Sequence, residues 1–231
     1  MNKLITTFKH IFSIDELRGR IINTLLFIAF FRLGSYIALP GVDATKLSEP
    51  GEGGLFGLLN IFSGGALSNA SVFALGIMPY ISASIIMQLM AAVSPKLEQL
   101  KKEGEAGRRT ITKYTRYGTV VLASFQALGI AIALESQPGL VLDPGMAFRL
   151  TAMITLVSGT MFIMWLGEQI TERGIGNGIS IIIFAGIVAG LPNALGTTAE
   201  MVNTGAFSVP LAFFLLVATV LVTALVVFVE R

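Results

Sequence analysis

VFALGIMPYISASIIMQLMAAV, residues 72–93, is a run of 22 residues without a formal charge, long enough as a helix to cross the ~30 Å hydrocarbon layer of a bilayer. Outward from it, similar apolar stretches run over Ile21–Leu39, Tyr117–Leu134, Ala147–Leu166, Ile179–Leu195 and Val209–Val229. Backbone amides in lipid must be hydrogen-bonded within the protein, and none of these stretches alternates with the period of a strand. The expected fold is therefore all-α, a polytopic helical membrane protein with six transmembrane helices. Composition agrees: 54% of the 231 residues are hydrophobic and 13% charged, against about 25% charged in a soluble domain, and the mean hydropathy is +0.78. With no Cys and a single His, His10, thiolate chemistry, Cys-ligated metal and a membrane-embedded Ser/His relay are excluded, and no catalytic residue, metal or cofactor is expected.

Charge sets the orientation. One side of the membrane receives Lys3, Lys9, Arg18 and Arg20, then seven basic residues between Pro95 and Arg116, then Arg173 and Arg231; the other receives Lys46 and Arg149. Positive residues mark the cytoplasmic side, so both ends of the chain are expected there. Arg32 falls inside the first span and needs a partner or a path to the interface. Residues 1–20 are polar and amphipathic, with no cleavage site after a short apolar core, and are expected to be retained as a cytoplasmic segment.

Several local patterns bear on function. Pro79 in the second span is expected to remove the bond to the Leu75 carbonyl and bend the helix. At 3.6 residues per turn, Ile77, Ile81, Ser84 and Gln88 lie within about 60° of arc, a stripe suited either to helix packing through Ser82, Ser84 and Gln88 or to the border of a cavity. Between the first two spans, Leu55, Leu58, Leu59 and Phe62 share one helical face before Gly64 and Gly65 end it. This segment is too short to span, and reads either as an interfacial helix or as a re-entrant one beside a pore. Pro192 is expected to interrupt the fifth span. Gly174, Gly176 and Gly178 are spaced G-x-G-x-G and follow an apolar span, which excludes a dinucleotide loop; a tight turn with Asn177 or Ser180 capping the next helix accounts for them. The segment from Pro95 to Arg116 suits anionic headgroups, with docking of a cytoplasmic protein as the other reading.

Two long motifs resemble the SecY family. Residues 73–89, FALGIMPYISASIIMQL, are similar to its second-helix signature, and residues 165–180, WLGEQITERGIGNGIS, to the signature between its fourth and fifth helices. FSGGAL at 62–67, KKEGE at 101–105 and Arg108-Arg109 are also similar, so the likeness covers essentially the whole chain. The resemblance implies a non-enzymatic protein-conducting channel in the bacterial cytoplasmic membrane. It implies a pore ring containing Ile77, Ile81 and Ile183, a narrow hydrophobic constriction that opposes ion flow by dewetting. It implies a plug, residues 55–67, including Leu55, Phe56, Leu58, Leu59, Phe62, Gly64 and Gly65; a lateral gate side including Ser82, Ile85, Ile86 and Gln88; and a partner loop with Lys101, Lys102, Arg108 and Arg109. Implied partners are SecE and SecG, SecA or the ribosome, signal sequences and nascent polypeptides, membrane lipids, and SecDF and YidC.

The family has ten spans in two inverted halves. The expected organisation is thus a cytoplasmic segment (1–20), a first five-helix half (21–195), and a periplasmic loop with a sixth helix (196–231), with the remaining half of the channel lying outside this sequence. A solute transporter is the competing reading, since broken spans and Gln88 suit a midplane site. Against it, Glu135, Glu168 and Glu172 fall at or beyond span ends, leaving no mid-span carboxylate to couple ions.

Overall fold

A computed structural model describes residues 13–43, 63, 65–136 and 139–230. Among these the elements are helices: α1 Asp15–Gly34, α2 Met78–Val93, α3 Pro95–Lys102, α4 Glu105–Glu135, α5 Met146–Arg173, α6 Gly178–Asn203 and α7 Val209–Glu230. Four of them, α4 to α7, are long and apolar enough to cross a membrane, and a fifth is added if α2 and α3, bent by 102°, count as one broken span. α1 stands apart from these because Arg18, Arg20 and Arg32 accompany its apolar residues.

The chain divides into two compact units, Met1–Ile187 and Val188–Arg231. In the first, α5 is the central helix, burying Phe148, Ala152, Leu156, Gly159, Thr160, Ile163, Met164, Leu166, Gly167 and Ile170. α4 packs along it through a face of small residues at every fourth position, Thr115, Thr119, Ala123, Ala127 and Ala131, all buried. Small side chains let helix axes approach closely, which replaces the hydrophobic drive that lipid cannot supply. α1 packs on α5 from another side.

Two ion pairs tie α4 to α5. Arg116 donates to the Glu168 carboxylate through Nε and Nη2, one edge of its guanidinium, at 2.7 to 3.0 Å. At the opposite end Glu135 accepts from Arg149 Nε at 2.8 Å and from the Gly145 N–H at 2.9 Å. The pairs stand nineteen residues apart on both helices, about 28 Å of α-helix, close to the ~30 Å hydrocarbon thickness. Charged residues therefore bracket an apolar hairpin of membrane length.

Between α1 and α2 the backbone is irregular yet buried. Ser63, Ala66, Ala70 and Ser71 are all at most 3% exposed. The Leu39 N–H donates to the Ala70 carbonyl at 2.8 Å and the Val72 N–H to the Ile37 carbonyl at 2.9 Å. The Asp43 N–H donates to the Leu140 carbonyl at 2.9 Å. Non-helical backbone is tolerated at membrane depth when protein encloses it in this way. α5 makes room: a Cβ on Gly159 would stand 2.2 Å from the Val72 carbonyl oxygen.

Four sequence expectations are corrected. Pro79 does not kink a helix; α2 begins at Met78 with Ile77 as its N-cap, so the missing N–H falls where no intrahelical partner exists. The bend comes at Ser94, extended at φ −95° and ψ 117°, because the residue before Pro95 is pushed out of the helical region. The segment from Pro95 to Arg116 is not a loop: α3 and the first three turns of α4 meet at Gly104, whose φ is +73°. Pro192 lies inside a continuous α6. The first helix also starts and ends earlier than expected, leaving Ser35–Leu39 in turns and the short pairing with Ala70 and Val72.

The second unit holds the end of α6, a turn at Gly205 with φ +76°, and α7. Within this unit α7 buries none of its described side chains. A uniformly apolar helix with no covered face is suited to lipid or to a protein neighbour.

Candidate functional site

An apolar cluster in the first unit gathers Phe31 of α1, Ala66, Phe73 and Ile77 of the irregular segment, Ile163, Leu166 and Ile170 of α5, and Ile182 of α6. Ile81 and Ile183 pack against it, each half-buried. The three isoleucines singled out in the sequence thus meet in one place, although Ile183 lies on a different helix more than a hundred residues beyond Ile77. They differ in exposure. Ile77 is 2% exposed and closes the cluster from within, whereas Ile81 and Ile183 keep open surface.

Aromatic rings brace this cluster. Phe73 stacks between Phe31 (centroids 6.1 Å apart) and Phe162 (5.9 Å), and Phe162 continues to Trp165 at 5.7 Å. Near-parallel rings at these spacings join α1, the irregular segment and α5. Gly34 is required for it, since a Cβ there would lie 2.1 Å from the Phe73 ring. Sequence reasoning left this brace unread: phenylalanines are common in the chain, and nothing local marks which ones meet.

At the end of the unit that carries Arg116 and Glu168, two clefts share Tyr80. One, of about 830 Å3, is lined by Tyr80, Arg108, Arg109, Lys113, Arg116, Glu168, Glu172 and Ile179, among others. The other, of about 570 Å3, includes Tyr80, Ser84, Gln88, Lys101, Arg108 and Thr115. Gln88 Nε2 donates to Ser84 Oγ at 3.3 Å within α2 itself, a bond that joins no second helix, and its side chain borders a cleft. Tyr80, absent from the sequence reading, connects the charged mouth to the apolar cluster, since it lines both clefts and packs against the isoleucines.

The other sequence-singled residues fall as follows. Ile85, Ile86 and Gln88 are exposed on α2, with Ser82 half-buried beside them. Lys101 and Lys102 end α3, where Lys102 reaches Glu98 at 2.7 Å; Arg108 and Arg109 lie in the first turns of α4, with Arg109 3.8 Å from Glu105. Leu55, Phe56, Leu58, Leu59, Phe62 and Gly64 lie outside the described residues; Gly65, with φ +81°, opens the buried irregular run. In the glycine turn, Asn177 Oδ1 accepts from the N–H groups of Ile179 (3.1 Å) and Ser180 (3.4 Å), the expected helix cap. Among the described residues no three His, Cys, Asp or Glu side chains converge to hold a metal.

Bilayer-length helices packed around enclosed irregular backbone define a polytopic helical membrane protein, with an apolar cluster lying inside a charged mouth. The SecY family model matches residues 71–231. Protein translocase subunit SecY of Buchnera aphidicola subsp. Acyrthosiphon kondoi is 58% identical over 225 residues, covering 95% of this chain and 63% of that protein. Protein translocase subunit SecY of Escherichia coli strain K12 is 57% identical, covering 95% and 51%. Among solved structures, Sec61 in the canine ribosome-channel complex from the endoplasmic reticulum aligns with a TM-score of 0.65 at 16% identity, over 91% of this chain and 47% of that one, a likeness of fold. The chain belongs to the SecY family, and it spans between about half and two thirds of the length of these relatives.

Proposed function

We propose that this chain contributes one wall of a protein-conducting channel through which secretory proteins cross, and membrane proteins enter, the bacterial cytoplasmic membrane. The observation that carries this is the convergence of Ile77, Ile81 and Ile183 on one apolar cluster inside a charged mouth. A collar of branched aliphatic side chains fits around a peptide without reading its sequence, and when narrow and dry it opposes ions; Ile81 and Ile183 carry its open surface and Ile77, buried, backs them. The end bearing Arg108, Arg109 and Lys113 is cytoplasmic by the distribution of positive charge, and there SecA or the ribosome would dock. SecE and SecG would cover apolar helix faces, with SecDF and YidC as further partners.

In this reading the exposed face of α2, with Ile85, Ile86 and Gln88 beside Ser82, forms one side of a lateral gate toward lipid. Residues 55–67 act as the plug. α1 completes a six-span count, its Arg32 donating to Tyr36 Oη at 3.0 Å at the helix end.

The test is conductance of the assembled channel in planar bilayers. Ile77→Gly combined with Ile183→Gly should raise resting ion leakage severalfold over the parent channel. Conductance equal to the parent would remove the ring assignment. A separate export assay addresses the plug: deleting residues 55–67 should allow export of substrates with defective signal sequences, and unchanged rejection of them would contradict that role.

A further inference from the structure

The glycine turn between α5 and α6 has no ligand to bind in the function proposed, yet it is held more tightly than a connection requires. Thr24 of α1 is 9% exposed. Its hydroxyl donates to the Arg20 carbonyl at 2.9 Å and accepts the Ile175 N–H at 3.1 Å, across 151 residues of sequence. Beside it, Asn23 Nδ2 donates to the Arg173 carbonyl at 3.4 Å. Gly174 allows the approach: a Cβ there would stand 2.4 Å from Thr24 Oγ1 and 2.6 Å from the Ile170 carbonyl oxygen.

The turn is fixed from its other side by α5. Thr171 Oγ1 accepts the Gly178 N–H at 2.9 Å and donates to the Gly167 carbonyl at 2.9 Å. A Cβ on Gly178 would lie 1.9 Å from that same carbonyl oxygen. The connection is therefore held at two points by threonine hydroxyls, Thr24 of α1 at Ile175 and Thr171 of α5 at Gly178, where α6 begins. From Gly178 the helix rises about 1.5 Å per residue, so Ile183 stands ~7.5 Å beyond a point whose position the turn dictates.

We infer that Thr24 is a positioning residue for Ile183: its hydroxyl anchors the α5–α6 turn to α1 and so fixes where α6 presents Ile183 to the apolar cluster. The inference rests on the ring reading given above. Thr24→Val keeps the shape of the side chain but removes the acceptor, leaving the Ile175 N–H without its partner. Thr24→Ser keeps the acceptor. Gly174→Ala disturbs the same contact from the turn, and serves if Thr24→Val does not assemble.

The experiment pairs two readouts on the assembled channel: amide hydrogen exchange of the peptide containing Ile175, and ion conductance in planar bilayers beside Ile183→Gly as a control. Thr24→Val should speed exchange at Ile175 by about tenfold, the loss expected for one net hydrogen bond. It should also leak ions in the direction of Ile183→Gly, and Thr24→Ser should return both readouts to the parent values. Fast exchange with parental conductance, while Ile183→Gly leaks, would make Thr24 purely structural and overturn the inference with the ring intact. Leakage by Thr24→Ser equal to that of Thr24→Val would overturn it as well. A control Ile183→Gly that does not leak would instead overturn the ring reading, and the inference would fall with it.

Discussion

At Gly159 a missing side chain decides how deep the irregular segment can run. A Cβ added there would lie 2.2 Å from the Val72 carbonyl oxygen, and no rotamer change relieves that clash, because the obstacle is backbone. Gly159→Val should therefore destabilise the fold by about 1 to 3 kcal/mol, read as a lowered thermal unfolding midpoint in detergent, whereas Gly129→Ala, with nothing within 4 Å, should leave that midpoint unchanged or raise it. Equal midpoints for Gly159→Val and the parent would refute the close approach. Residue identity is legible here only in part. Sequence shows that Gly174 and Gly178 flank a turn, but their intolerance of a Cβ comes from Thr24 Oγ1 and the Gly167 carbonyl, neighbours that local pattern does not announce.

Among the elements, the α4–α5 hairpin carries the clearest physical logic. Small residues at every fourth position bring the helices together, and an ion pair closes each end at nearly the thickness of the hydrocarbon layer. Arg116 is about half exposed and Glu168 about one fifth, so screening limits their contribution. A double-mutant cycle of Arg116→Ala and Glu168→Ala should give a coupling energy of no more than ~1 kcal/mol. The exchanged pair, Arg116→Glu with Glu168→Arg, should recover most of the stability lost by either charge reversal alone. If the exchanged protein is as unstable as the single reversals, the pair does not act as a clamp. The four long helices α4 to α7 were readable from their apolar runs, and the apolar part of α4 in its extent as well: the stretch expected over Tyr117–Leu134 is bracketed by Arg116 and Glu135. The start of α2 was not readable, since a proline gives the same letter whether it kinks a helix or opens one. The structure settles it at Gly76, whose φ of +56° breaks helical geometry two residues before α2 begins.

For the molecule as a whole, the exposed apolar faces set the expectation. Leu89, Met90 and Val93 on α2, Phe125 on α4, and Phe213, Phe214 and Phe228 on α7 are each at least 49% exposed, far more apolar surface than a protein leaves to water. Reconstituted alone in liposomes, these 231 residues should show no conductance above protein-free vesicles. Co-expression with the complementary half of a full-length relative should restore a channel whose leakage responds to the isoleucine substitutions. Conductance by the single chain would mean that it closes a pore with copies of itself.

The sequence by itself determined the apolar character, the helical class, the approximate places of the four long apolar helices α4 to α7 and the segments in which positive charge collects, because each follows from local composition and from the cost of an unpaired amide in lipid. Its resemblance also pointed to the three isoleucines. Only the tertiary structure decided that Phe31, Phe73 and Phe162 stack, that Tyr80 joins the charged mouth to the apolar cluster, that Pro79 begins its helix, and that Thr24 holds a turn 151 residues away. Those outcomes depend on which distant surfaces come within a few ångströms, and close approach between remote segments is fixed by side-chain volume and by hydrogen-bond geometry in three dimensions, to which one-dimensional hydropathy and charge are blind.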